Sequence, residues 1–169
     1  MSSPSAQAAP MGWEACILLG SEGEHAVSAA LVRAGWTTLL HGEARADYPP
    51  PKLRTPHGHL GATDLQAWPP CGGRPWSVEV KNLTRLRDYP GWPFCRDEYR
   101  DLTKHDRIAG PVLIAIVDRE DGSIWISTIF NLQIHTPEPA RSGKFLVFLK
   151  KYFIPLPQFL KQYEREYPL

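Results

Sequence analysis

The stretch Val112-Leu113-Ile114-Ala115-Ile116-Val117 limits the possible folds more than any other. Six consecutive aliphatic residues, rich in valine and isoleucine, predict a central strand buried on both of its faces. A strand of that kind needs cover above and below, so the chain has to build a sheet with helices packed against it. Ile124 to Ile129 follows across the Glu120-Asp121-Gly122 turn and predicts the next strand.

The other elements fall around this pair. Val27, Ala30, Leu31 and Ala34 recur at helical spacing, which predicts a helix over Glu22 to Ala34 that Gly35 stops. Trp36 to His41, Gly61 to Ala67 and Trp76 to Leu83 predict three strands. A polar helix is expected over Asp97 to Ala109, a late strand over Phe145 to Leu149, and a last helix over Gln158 to Glu166. The 17 prolines cluster, and Asp47 to Pro56, Trp68 to Pro75 and Tyr89 to Pro93 are expected as loops. Proline fixes φ and removes a donor, so none of these stretches suits a helix interior or a central strand. The resulting fold class is α/β, a mixed central sheet flanked by helices.

At 169 residues one domain is expected, over 12–169, preceded by a disordered leader over 1–11 that is small and polar. A hydrophobic fraction of 43% supports a core. No run of 18 apolar residues exists, which removes a helical membrane span. Cys16, Cys71 and Cys95 are an odd number without a CxxC pair, so neither a disulfide framework nor a structural zinc site is indicated. A reducing, cytoplasmic setting follows as the expectation. The net charge of +1 excludes the strongly basic kind of nucleic-acid binder. Charge is uneven, however: from Ala140 onward six basic residues face two acidic ones. That cluster suits phosphate or a solvated face equally well.

Three places carry charge that the pattern does not ask for. Glu24 lies on the apolar stripe of its own helix, three residues before Val27 and seven before Leu31. One reading is a capping box, with Glu24 bonding back to the Ser21 amide; the other is a carboxylate kept for chemistry. Asp64 stands at the start of a strand, where aspartate is also a common turn former. In Ser77-Val78-Glu79-Val80-Lys81 the alternation of a strand puts Glu79 and Lys81 on one face and the valines on the other. Alone, such a strand has a charge-paired, solvated side. If it pairs with the Asp64 strand, two hard oxygen ligands and an amine converge. That set suits Mg²⁺, which takes one or two carboxylates and keeps several waters. A neighbouring lysine can hold the attacking water or offset negative charge in a transition state.

Gly20-Ser21-Glu22-Gly23-Glu24 with Val27, Leu31 and Gly35-Trp36, then Thr63-Asp64, then Glu79-Val80-Lys81, together resemble the PD-(D/E)XK nuclease superfamily, which includes restriction endonucleases and archaeal-type Holliday junction resolvases. The resemblance implies a restriction-endonuclease-like αβββαβ core. It implies metal ligation by Asp64, Glu79 and the Val80 carbonyl, Lys81 as the catalytic lysine, and Glu24 as an auxiliary acid. Mg²⁺, replaceable by Mn²⁺, is the implied cofactor, and the implied activity is hydrolysis of DNA that leaves 5′-phosphate ends. Thr63 stands where the pattern usually has proline. The 14 residues between Asp64 and Glu79 make the connection longer than a tight hairpin.

Candidates for holding substrate lie outside that core. Arg100 and Lys104 ride on the helix after the Glu-x-Lys strand, where Asp97, Glu98, Asp101 and Asp106 also offer charge balance at helical spacings. His59, with His57 and Arg54, sits in the loop before Asp64. Lys150 and Lys151, with Lys144, interleave with Phe145, Phe148, Tyr152 and Phe153, which suits a grip on nucleic acid or an edge strand guarded by lysines. Trp92 and Phe94 suit a wedge or lid, or simple anchors of their loop. DNA is the expected partner, gripped with help from a second copy or a partner protein, and no membrane is involved. The competing class is a non-catalytic module of the same fold that binds nucleic acid or protein.

Overall fold

A computed structural model of the chain describes residues 13–41, 52–56, 58–84, 90–135, 137–139 and 143–166. The expected leader over 1–11 lies outside them, as do residues 47–51 and Tyr89 of the expected loops. In chain order the elements are α1 (Trp13–Arg33), β1 (Thr37–Leu40), β2 (Lys52–Thr55), β3 (Gly58–Gly61), β4 (Leu65–Trp68), β5 (Trp76–Leu83), β6 (Gly91–Cys95) and α2 (Arg96–Ile108). Then come β7 (Val112–Asp118), β8 (Ile124–Thr128), α3 (Ile129–Gln133), β9 (Glu138–Pro139), β10 (Phe145–Leu149), a 3₁₀ turn (Lys150–Tyr152), β11 (Ile154–Pro155) and α4 (Leu156–Glu166).

The aliphatic run forms β7, and all seven of its residues are buried. It lies inside a six-stranded sheet of order β1-β4-β5-β7-β8-β11. β5 and β7 run parallel with Glu79 opposite Ile114 and Lys81 opposite Ile116, while the other pairings of this sheet are antiparallel. Because side chains alternate across a strand, β7 feeds two cores. Leu113, Ala115 and Val117 join Val27 and Leu31 of α1, Val78 and Val80 of β5 and Leu156 of α4 on one face. Val112, Ile114 and Ile116 join Leu102 of α2, Ile129 and Leu132 of α3 and Trp92, Phe94 and Phe148 on the other. The expected mixed sheet between helices is therefore the observed one.

The departures from the sequence reading have physical causes. α1 begins at Trp13 rather than Glu22, so Ser21 lies inside the helix and cannot cap it. The capping-box reading of Glu24 is thereby excluded. Gly20 and Gly23 look like helix breakers in sequence, yet Gly23 is where α1 presses on the sheet. A Cβ there would sit 3.2 Å from Cβ of Asn82 and 3.5 Å from Cγ1 of Val80.

Two proline-rich stretches expected as loops contain strands. Lys52–Thr55 pairs antiparallel with Gly58–Gly61 as a separate hairpin, and Gly91–Cys95 is an edge of the three-stranded sheet β6-β10-β9. Edge strands leave one row of backbone groups unpaired, so Pro93 is tolerated there. β10 itself is the middle strand of that sheet, not a lysine-guarded edge; Phe148 is fully buried and Phe145 exposed. The predicted strand over Gly61 to Ala67 is split, with Gly61 ending β3 and Leu65 opening β4. Ile129 leaves β8 to start α3, where the Thr128 hydroxyl accepts the Asn131 N–H at 2.9 Å. Among the described residues no helix is long and apolar enough to cross a membrane.

Candidate active site

Asp64 occupies the residue before β4. β4 ends its pairing with β5 at Leu65 opposite Val78, so the ladder stops just short of Val80. The Asp64 side chain continues it: Oδ2 accepts the Val80 N–H at 2.6 Å. The segment before Asp64 is held by His41, whose Nδ1 donates to the Thr63 carbonyl at 2.6 Å and whose backbone N–H donates to the Asp64 carbonyl at 2.9 Å. Thr63 is buried and gives its hydroxyl to the Leu65 carbonyl. These bonds fix the chain where a proline would otherwise stiffen it.

On β5 the alternation works as the sequence implies. Val78 and Val80 enter the α1 core, while Glu79 and Lys81 turn toward α2. Lys81 Nζ donates to Glu79 Oε1 at 2.6 Å and to Glu98 Oε1 at 2.5 Å. Glu98 was not singled out from the sequence, where it passes for one more balancing charge on a polar helix. Its signal is the spacing Glu98, Leu102, His105, a helical stripe whose later members are both buried. The same logic singled out Glu24, which is half-buried on α1 close to Gly23 and adds its negative charge to the surroundings of Asp64.

Three carboxylates, Glu79, Glu98 and Asp64, thus surround one ammonium, and Glu24 adds a fourth negative charge near Asp64. Burial pushes the Glu79 carboxyl up to about 7, with Asp64 and Glu98 adding to the effect and Lys81 opposing it. Burial likewise pushes Asp64 up to about 6, helped by Glu24 and Glu98 and opposed by Lys81 and the Val80 N–H. Burial works against the charge on Lys81, but Glu79, Glu98 and Asp64 outweigh it and hold the ammonium above its ordinary range. One cation cannot neutralise this many acids, so surplus negative charge remains.

That surplus is what a divalent cation would relieve. Among the described residues no three Asp, Glu, His or Cys side chains already converge as a ligand set. Mg²⁺ does not require one, because it keeps waters and takes one or two carboxylates. The donor chemistry of Asp64 and Glu79, hard oxygens in a group of acids that one lysine offsets only in part, fits such an ion.

A cleft of about 440 Å³ opens beside Glu79, lined by Glu79, Glu98 and Asp101 and by His59, Lys104 and His105; Asp64 and Lys81 stand behind Glu79 and do not line it. His59 and Lys104 are therefore brought to the site. Arg100 is exposed and tied to Asp97 at 3.3 Å and to Asp101 at 3.9 Å. Lys150 stands over the Trp125 ring at 3.9 Å and Lys151 over Tyr152 at 5.2 Å; neither lines this cleft. Trp125 opposes Ile116, which opposes Lys81, so Lys150 lies on the same face two strands away. That is roughly 10 Å across the sheet. Trp92 and Phe94 are buried in the second core, which makes them anchors rather than a wedge or lid. His57 lies outside the described residues, and Arg54 is exposed on β2.

The solved structure of Hjc, a Holliday junction resolvase from Archaeoglobus fulgidus, superimposes with a TM-score of 0.52 at 15% identity, covering 83% of this chain and 97% of that one. The fold is restriction-endonuclease-like. D212, a nuclease from a fusselovirus, also aligns, at a TM-score of 0.45 and 8% identity over 95% of this chain and 99% of that one. No protein-family profile and no curated protein sequence matches the chain. On the restriction-endonuclease-like frame, Asp64, Glu79 and Lys81 stand in the chain order of the PD-(D/E)XK pattern, each with the neighbours described above.

Proposed function

We propose that this chain is a metal-dependent nuclease that hydrolyses phosphodiester bonds in DNA, uses Mg²⁺ or Mn²⁺, and leaves 5′-phosphate ends. The observation that carries the reading is the convergence of Asp64 and Glu79 with Lys81. The Asp64 carboxylate sits on the Val80 N–H, the Lys81 ammonium sits on Glu79, and Glu79 lines an open cleft.

Asp64, Glu79 and the Val80 carbonyl would hold the ion, which when bound supplies an acidified water and a counter-charge for the phosphate. The remaining work falls to the protein. Lys81 is kept charged by its carboxylates, so it donates hydrogen bonds to the attacking water or to the non-bridging oxygens as negative charge builds. Glu98 and Glu79 aim that ammonium from two different elements. Glu24, beside Asp64, orients a further water. Attack on phosphorus breaks the bond to the 3′ oxygen, which leaves as a hydroxyl, and the phosphate stays on the 5′ carbon.

The test is incubation with single-stranded, duplex and branched DNA and with RNA, in Mg²⁺, in Mn²⁺ and in chelator. Cleavage that needs the ion and vanishes in Lys81→Ala, with the melting transition of that variant intact, is the expected result. Cleavage that persists in Lys81→Ala belongs to a contaminant. Binding without cleavage on all of these substrates would replace the enzyme with a binding module.

A further inference from the structure

The cleft has an acidic floor, and the whole chain carries a net charge of only +1. A polyanion brought to such a floor needs a local grip on one of its walls. The β2–β3 hairpin forms one of those walls: His59, Leu60, Gly61 and Ala62 line the cleft beside Glu79. In its register Lys52 opposes Gly61, Leu53 opposes Leu60 and Arg54 opposes His59. Strand alternation gives this ribbon two unlike faces. Leu53 and Leu60 share the inner one, with Leu60 buried, while Lys52, Arg54 and His59 share the outer one and are all exposed. The ribbon is also tied down, because His105 of α2 donates from Nδ1 to the Gly61 carbonyl at 3.2 Å and receives the Ser77 hydroxyl on Nε2 at 3.0 Å.

Composition narrows what such a face can meet. Residues 51–61 contain no acid and no Phe, Tyr or Trp. Proteins that hold single strands pair basic charge with aromatic platforms for stacking bases, and this hairpin has no platform. A two-stranded ribbon, however, is of a size that enters the major groove of a duplex, and lysine and arginine suit its phosphates. We infer that the β2–β3 hairpin is a duplex-gripping arm, with Lys52 and Arg54 seated on backbone phosphates so that the duplex is held against the cleft. The inference rests on the proposed nuclease reading of that cleft and adds the form of the substrate and the element that holds it.

The test uses full-length protein in chelator, with a labelled 30-base-pair duplex and one of its strands as probes, titrated across salt concentrations. The variant is Lys52→Gln/Arg54→Gln, its fold checked by melting, with Lys52→Arg as the conservative control. Each lost phosphate contact lowers the slope of log K against log salt by about 0.9 on duplex. The double variant is expected to lower that slope by roughly 2 and to weaken duplex binding about tenfold or more at low salt. Lys52→Arg should bind like wild type, and single-strand binding should change little. Unchanged duplex affinity and slope, or a loss confined to the single strand, overturns the inference; if Lys81-dependent cleavage persists in that case, the nuclease reading still stands. Hairpin-dependent duplex binding without cleavage in any metal leaves the arm in place and removes the nuclease.

Discussion

Asp64→Asn separates the stability of the fold from the chemistry of the site. The asparagine keeps an oxygen for the Val80 N–H, now accepted at 2.6 Å by Oδ2, and deletes one charge. Burial, reinforced by Glu24 and Glu98, pushes the Asp64 carboxyl from 3.8 to about 6. A shift of that size corresponds to about 3 kcal/mol between protonation states. Asp64 is half-buried, so solvent screening reduces this to about 1–2 kcal/mol of usable effect. A carboxyl whose folded pKa is raised favours the fold fully below its unfolded pKa and loses that contribution as pH rises through the folded value. The wild type therefore forfeits stability between about pH 4 and pH 7, and the neutral amide does not. In chelator at pH 8 Asp64→Asn should melt about 3–6 °C above wild type. Near pH 4 the two should coincide. Adding Mg²⁺ should reverse the order, because only the wild type gains the binding contribution that grows with free ion. Thermal or urea melts at the two pH values, with and without the ion, read all of this. A variant less stable than wild type at pH 8, or equally shifted at both pH values, would refute the account of the buried acids.

Further outcomes follow from individual contacts. Gly91→Ala places a Cβ 2.1 Å from the Phe148 carbonyl oxygen, so β6 and β10 must part, and melting should show a loss of about 1–3 kcal/mol. An unchanged melting temperature would contradict that packing. Ile114→Ala empties a fully buried site opposite Glu79 and should cost about 2–5 kcal/mol in urea unfolding. Glu98→Gln removes one of the two carboxylates on Lys81 and should lower kcat about 10- to 100-fold with KM for DNA little changed. Wild-type turnover in that variant would make Glu98 a bystander.

Much of this molecule can be read in its sequence where one physical demand dominates. The Val112 to Val117 run has only one way to be buried, and the alternation of Ser77 to Lys81 has only one way to face its charges, so β7 and β5 appear where expected. Glu24 was visible because a charge on an apolar stripe is costly. What escaped were features whose logic is tertiary. The first helix runs through Gly20 and Gly23 because the sheet needs a close approach there, which nothing in the local sequence announces. The β2–β3 ribbon and β6 hid behind prolines, since an edge tolerates what a central strand refuses. Glu98 escaped because a polar helix presents several acids, and only the packing of Leu102 and His105 shows which of them turns inward.

β7 contributes one row of side chains to each of the two cores, and β5 is hydrogen-bonded along its length to it. Amide protons on these two strands should therefore be among the slowest to exchange, because neither layer can peel away without exposing β7. Glu79 and Lys81 ride on that slow pair, whereas Lys52 and Arg54 ride on a ribbon outside it. Substitutions that retune the ribbon's surface can accumulate while the spacing of the acids and the amine stays anchored, so a drift in the charge of the ribbon need not disturb the geometry of the site.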